Sequence, residues 1–173
     1  MLVPIIFFLF KVSNLSRCCK KNTEMMAEPL DDWTLVCPLS DVTDTNRKRV
    51  KMDDRDIIII KTNTNLYALD SFCYHAGGPL YIGDIEDFGG KTCIVCPWHK
   101  YKVAIDRGEM VYQSCDPHNP SKPVVWKSSG IKQRTHAVKV KDGNVYVRFT
   151  ECTGKVPSDQ YNNKEYRERL GLS

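Results

Sequence analysis

Residues 72–80 read FCYHAGGPL, and residues 95–101 read VCPWHKY. Each stretch carries one cysteine and one histidine, as Cys-x-His in the first (Cys73, His75) and Cys-x-x-His in the second (Cys96, His99). Gly77, Gly78 and Pro79 close the first motif and Pro97 lies inside the second, so both read as turns. Their flanks read as strands. DIIIIKT (56–62), the turn TNTN (62–65) and LYALDS (66–71) lead into the first motif as a hairpin. TCIVC (92–96) and YKVAID (101–106) flank the second, which places it in a hairpin too.

The β pattern extends outward from these loops. DWTLVCPL (32–39) is a short strand bounded by Pro38, and RKRVKM (47–52) is another. Arg107-Gly108 turns the chain into EMVYQ. In HAVKVKDGNVYVRF (136–149), Val138 and Val140, then Val145 and Val147, alternate with polar residues about the turn Asp142-Gly143. Helical periodicity is scarce. Only SDQYNNKEYRERLGL near the C-terminus suits a helix, and it is polar. The expectation is an all-β, antiparallel protein of about eight to ten strands. The expected boundaries are an N-terminal tail over 1–28, one domain over 29–152, and a polar C-terminal tail over 153–173.

A chain of 173 residues suits one domain, and 42% hydrophobic with 27% charged residues suits a packed core. The net charge of +4 is spread along the chain, and Arg47-Lys48-Arg49 is the longest basic cluster. Basic and aromatic residues do not interleave, so no nucleic-acid partner is expected. Eight cysteines raise the question of a disulfide framework. Their irregular spacing, with two of them beside histidines, fits a reducing compartment and a metal site better. The apolar start MLVPIIFFLF ends at Lys11, too short to span a bilayer. No acid occurs before Glu24, so a mitochondrial presequence stands as the alternative to the cytoplasmic location expected here.

Thiolate and imidazole together bind zinc or iron. Common zinc fingers supply Cys-Cys first and His-His later from a helix. Here each loop supplies one of each, from β surroundings. That suits a [2Fe–2S] cluster with two unlike irons, each loop sending its Cys to one and its His to the other. The glycines then let backbone N–H groups approach the cluster sulfurs.

CYHAGGPL together with CPWHKY resembles the Rieske signature. IEDFGGKTCIVCPWHKYKVAI and GIKQRTHAVKV extend the resemblance over most of residues 30–150, toward the small soluble Rieske Fe–S domain proteins of animals. The resemblance implies a Rieske-like fold of three antiparallel sheets with a small cluster-binding subdomain, and one [2Fe–2S] cluster per chain. It implies Cys73 and Cys96 on the buried iron, and His75 and His99 on the outer iron. High-potential members add a loop disulfide at the positions of Gly78 and Trp98, so none forms here. Respiratory members place hydrogen-bonding Ser and Tyr at the positions of Tyr101 and Val103. With fewer donors, the potential is expected near the low end of the Rieske span, about −150 mV rather than +300 mV. Lys100 stands in place of the glycine common after the second His. The family's proline-bearing covering loop is sought in SCDPHNPSKP (114–123).

The function expected is a soluble one-electron carrier between a reductase and an unidentified acceptor, monomeric and with no enzymatic activity of its own. A zinc-stapled interaction module and a redox sensor are the alternatives. An oxygenase would need a mononuclear iron site, for which no spare His pair is suitably placed. A quinol-oxidising subunit would need a membrane helix and the loop disulfide. A self-contained reductase would need a Gly-x-Gly-x-x-Gly loop. Cys93 forms Cys-x-x-Cys with Cys96, but strand alternation sends it to the opposite face as a core residue. Cys37, Cys115 and Cys152 read as structural or free thiols. His118 reads as a loop residue, His136 as structural, and Trp33, Trp98 and Trp126 as packing residues.

Overall fold

The computed structural model describes residues 32–43, 46–63, 65–119, 121–150 and 154–172. The expected N-terminal tail, Cys18, Cys19 and Cys152 lie outside them. Eleven strands occur among the described residues: β1 (Thr34–Pro38), β2 (Arg47–Met52), β3 (Arg55–Lys61), β4 (Leu66–Asp70), β5 (Asp84–Phe88), β6 (Lys91–Val95), β7 (Lys102–Ala104), β8 (Glu109–Ser114), β9 (Val125–Ile131), β10 (Thr135–Lys141) and β11 (Asn144–Arg148). Short helices are α1 (Ser40–Thr43) and α2 (Lys164–Arg169), with 3₁₀ turns at Leu80–Ile82 and Pro157–Tyr161.

The strands form two antiparallel sheets, ordered β1-β11-β10-β4-β3-β2 and β5-β6-β7-β8-β9. β10 explains the number. Its first residues pair with β4 (Thr135 opposite Leu69) and the rest with β11 (Val138 opposite Val147), so one strand fuses two ladders. The expected all-β, antiparallel class stands. Two strands went unread in the sequence. β5 is acidic and largely exposed, and β9 is an exposed edge carrying Ser128, Ser129 and Gly130. Neither alternates cleanly.

The run Ile57–Ile60 is buried on both faces, and period two divides it. Ile57 and Ile59 join Val42, Ala68, Val145 and Val147 in one core. Ile58 and Ile60 point the other way, into a core that contains Leu69, Leu80, Ile94 and Val103 together with Cys73 and Cys96. Each such isoleucine contributes about 1.5–3 kcal/mol by leaving water. The six-stranded sheet is thus a wall with a structural core behind it and the motif cysteines in front.

A polar network closes the open side of this wall. Asp70, fully buried at the end of β4, accepts two hydrogen bonds from Arg55 Nη1 (both 2.8 Å), one from Ser158 Oγ (2.8 Å), and contacts His136 Nε2 at 3.1 Å. Asp159 accepts from Arg55 (3.0 Å), from Arg134 Nε (2.7 Å) and Nη2 (2.6 Å), and from the Val156 N–H (2.9 Å). Arg167 pairs with buried Asp56. The segment expected as a polar C-terminal tail is therefore docked from Val156 onward. Its polar residues are used inward, to satisfy buried charges and carbonyls, which hydropathy alone does not register.

Burial works to raise the Asp159 carboxyl, but the bonds from Arg134, Val156 and Arg55 outweigh it and hold the group well below the usual carboxylate range. A depressed folded value means the contribution is complete above the unfolded value of about 3.9 and is lost as pH falls through the folded one. Acidification from pH 5 toward 2 is expected to lower the melting temperature of the parent more steeply than that of Asp159→Asn. Parallel acid limbs in the two melting series would contradict this. No helix among the described residues is long and apolar enough to cross a membrane.

Candidate cluster site

The two motif loops share one backbone frame. In the first, the Cys73 N–H donates to Gly78 O and the Gly77 N–H to Cys73 O, both at 2.8 Å. In the second, the Cys96 N–H donates to Tyr101 O (2.8 Å) and the Lys100 N–H to Cys96 O (2.9 Å). Offsets from the cysteine are identical in both. The fourth residue after each cysteine has positive φ, Gly77 at +73° and Lys100 at +58°. The left-handed turn asks for glycine, and the second loop carries lysine there at a cost of roughly 1–2 kcal/mol. The frame is anchored at different elements. The first loop leaves β4 and returns through the bridge Phe72–Pro79, while the second joins β6 to β7.

The motif residues come together in two pairs, Cys73 with Cys96 and His75 with His99. Cys73 and Cys96 are each 1% exposed and lie in one core cluster. His75 and His99 are exposed, with ring centroids 4.8 Å apart and planes at 88°. Thiols therefore lie inside and imidazoles outside. The Tyr101 ring lies 4.3 Å from His75. Each thiol is the main influence on the other: their interaction raises Cys73, which burial raises further, and lowers Cys96, also favoured by the N–H groups of Trp98 and His99. The His75 N–H acts likewise on Cys73.

These features fit an iron–sulfur group. The N–H groups of His75, Trp98 and His99 favour the anionic form of the two sulfurs. The Tyr74 Oη is buried without a protein partner, beside the same core, and a buried hydroxyl needs an acceptor. A Cβ on Gly78 would sit 2.7 Å from Cys96 Sγ and 3.2 Å from the Trp98 ring, so the glycine lets the first loop close over the second thiol. Gly78 and Trp98 thus meet at the positions compared above with a disulfide. Among the described residues, no three His, Cys, Asp or Glu side chains converge on a single ion position. Paired thiols and paired imidazoles suit a two-centre group better than one tetrahedral zinc.

Cys93 is fully buried in a separate small core with Ala104 and Val111, and burial pushes its thiol up to about 11. His136 is internal, bonded to Asp70, and Cys115 and His118 are exposed. Trp126 packs on Phe88, and Trp33 lies under Lys139 and Arg148. Trp98 is 54% exposed beside the loops.

The stretch sought as the covering loop joins β8 to β9. Residues 114–119 and 121–123 turn on themselves through an Asp116–Lys122 ion pair (2.9 Å) and the His118 N–H to Asp116 (3.0 Å). Most of the stretch's described residues are exposed. The first motif loop is held by residues that went unread. Fully buried Gln133 donates to Asp70 O and Phe72 O (2.9 Å each) and accepts from the Tyr74 N–H (3.0 Å). Asn162 accepts from the Phe72 N–H (3.0 Å) and donates to Phe72 O (2.9 Å). Only the tertiary fold brings these residues to the loop.

Residues 35–152 match the family of soluble Rieske-type ferredoxins, and the chain belongs to that family. A human Rieske domain-containing protein is 45% identical over 127 residues, 73% of this chain and 81% of its own length. A 3-phenylpropionate/cinnamic acid dioxygenase ferredoxin subunit of Photorhabdus laumondii is 25% identical over 117 residues, 67% of this chain and 93% of its own. Among solved structures, a chain from the complex of reduced oxygenase and oxidized ferredoxin in carbazole 1,9a-dioxygenase superposes with a TM-score of 0.50 at 23% identity, covering 68% of this chain and 93% of that one. Pseudomonas putida NdmB gives 0.53 at 23% identity, over 69% of this chain and 35% of the longer one. At these identities the structures speak for the fold.

Proposed function

We propose that Cys73, His75, Cys96 and His99 hold one [2Fe–2S] cluster per chain, and that the protein is a one-electron carrier of low potential between a reductase and an acceptor protein. The pairing of thiols inside and imidazoles outside, on two loops of one frame, carries this reading. When bound, such a cluster supplies one reversible electron per turn of the cycle. The chain's residues do the rest. The N–H groups of His75, Trp98 and His99 favour anionic sulfur at Cys73 and Cys96. The core of Ile58, Ile60, Leu80 and Ile94 keeps water from the inner side. The exposed edges of His75 and His99 give a short path to a docked partner. Trp98 and Lys100 are also exposed at this tip, and a lysine there favours an acidic surface. Val103, fully buried, offers no hydroxyl, which supports a potential toward −150 mV, roughly the low end of the Rieske span. The relative named as a dioxygenase ferredoxin subunit supports the carrier role.

The test is iron counting with EPR of the dithionite-reduced protein. About two irons per chain with a rhombic Rieske-type signal is expected. His75→Cys and His99→Cys are each expected to abolish that signal, while Cys115→Ser leaves it intact. One zinc per chain and no signal would replace the carrier with a metal-stapled module.

A further inference from the structure

The two motif loops are built alike but held differently. The second closes on its own backbone between β6 and β7. The first is gripped from outside by the C-terminal segment. Gln160 Nε2 donates to Tyr74 O (3.3 Å), Tyr161 Oη to His75 O (3.2 Å), and Tyr166 Oη to Gly77 O (3.0 Å). With Asn162 on Phe72, these bonds reach four residues of a stretch of six.

The fit is mutual. Gly77 has φ +73°, and a Cβ there would lie 2.0 Å from Tyr166 Oη. Tyr166 is only 5% exposed, and its ring meets Phe72 at 5.2 Å and Tyr161 at 5.3 Å. The segment is itself pinned. Asn163 caps α2 by accepting from the Tyr166 N–H (2.9 Å), and Ser158 and Asp159 tie the 3₁₀ turn to Asp70, Arg55 and Arg134. All of these gripping residues lie beyond 152, where the family match ends.

We infer that residues 157–166 form a strap that closes the His75 loop over the cluster and slows its loss, with Tyr161 and Tyr166 as positioning residues. This rests on the cluster reading above. The strap holds the carbonyl groups of Phe72, Tyr74, His75 and Gly77 and the N–H of Phe72. Opening the loop would release Cys73 and His75 together while Cys96 and His99 stay in place, so the strap governs half of the ligand set.

The test uses the full chain carrying Tyr161→Phe and Tyr166→Phe together, which removes two hydroxyls and keeps both rings. Three readouts are compared with the parent: amide hydrogen exchange across 72–79, iron transfer to a ferrous chelator, and the EPR line positions of the reduced protein. Exchange and iron loss are each expected to quicken roughly fivefold per hydroxyl, with shifted EPR lines and unchanged exchange in β10 and β11. Tyr112→Phe, an exposed site on β8, should alter none of these. Unchanged exchange at 72–79 overturns the strap. Faster exchange with unchanged iron loss overturns its role in retention. If the chain carries no iron, the cluster reading falls alone and the exchange comparison still decides whether the strap closes the loop.

Discussion

Alanine at Gly78 is expected to cost the protein most of its iron while leaving the fold intact. Gly78 has no positive φ, so alanine meets no backbone penalty there. The obstacle is Cys96 Sγ at 2.7 Å from the new methyl, with the Trp98 ring at 3.2 Å on its other side. A sulfur one bond from its own Cβ has little room to give. Either the sulfur turns away from the site or the first loop lifts from it. Overpacking of this kind costs about 1–3 kcal/mol, or roughly five- to 150-fold in affinity. Iron per chain and visible absorbance after purification read the loss, and far-UV circular dichroism checks the fold. Parental iron retention in Gly78→Ala would mean that the close approach of loop and thiol has no part in holding the cluster.

The second large effect lies away from the cluster. Asp70→Ala removes the acceptor shared by Arg55, Ser158 and His136. The side chains of His136 and Asp70 are both fully buried, and Ser158 is fully buried too. Truncation leaves buried Ser158 and His136 without this acceptor and Arg55 with Asp159 alone, a change that costs about 3–5 kcal/mol. That is a large share of the roughly 5–15 kcal/mol that keeps a domain folded. Asp41→Ala is the matched control, because its pair with Lys48 is about 40% exposed on both sides and worth at most about 1 kcal/mol. Urea denaturation of both variants settles it. A loss below 1 kcal/mol for Asp70→Ala would show that water replaces the carboxylate in the network.

How much of this could be read from the sequence depended on chain distance. The ligand loops were legible because each motif is local, with its Cys, His and turn residues inside nine positions or fewer. The hairpin 136–149 was legible because Val138, Val140, Val145 and Val147 alternate about Asp142-Gly143. Cys93 was assigned to the core by alternation alone. The shared frame of the loops was not legible, since Lys100 occupies a left-handed position without being glycine. Gln133 lies 59 residues from the Tyr74 N–H it accepts, and Asp159 lies 104 residues from Arg55. No local pattern marks such partners. The strap was misjudged for a further reason: it binds through Asn, Gln and tyrosine hydroxyls, so its sequence is as polar as a solvated tail.

Tyr166 follows Gly77 by 89 positions, which sets an order of events during synthesis. A ribosome adding roughly 5–20 residues per second makes the first loop on the order of ten seconds before its fastening. Through that interval the loop carrying Cys73 and His75 lacks the three bonds from Gln160, Tyr161 and Tyr166. Translation makes the latch after both motif loops, so on the strap and cluster readings proposed above the site is expected to fill more easily before residues 157–166 dock than after.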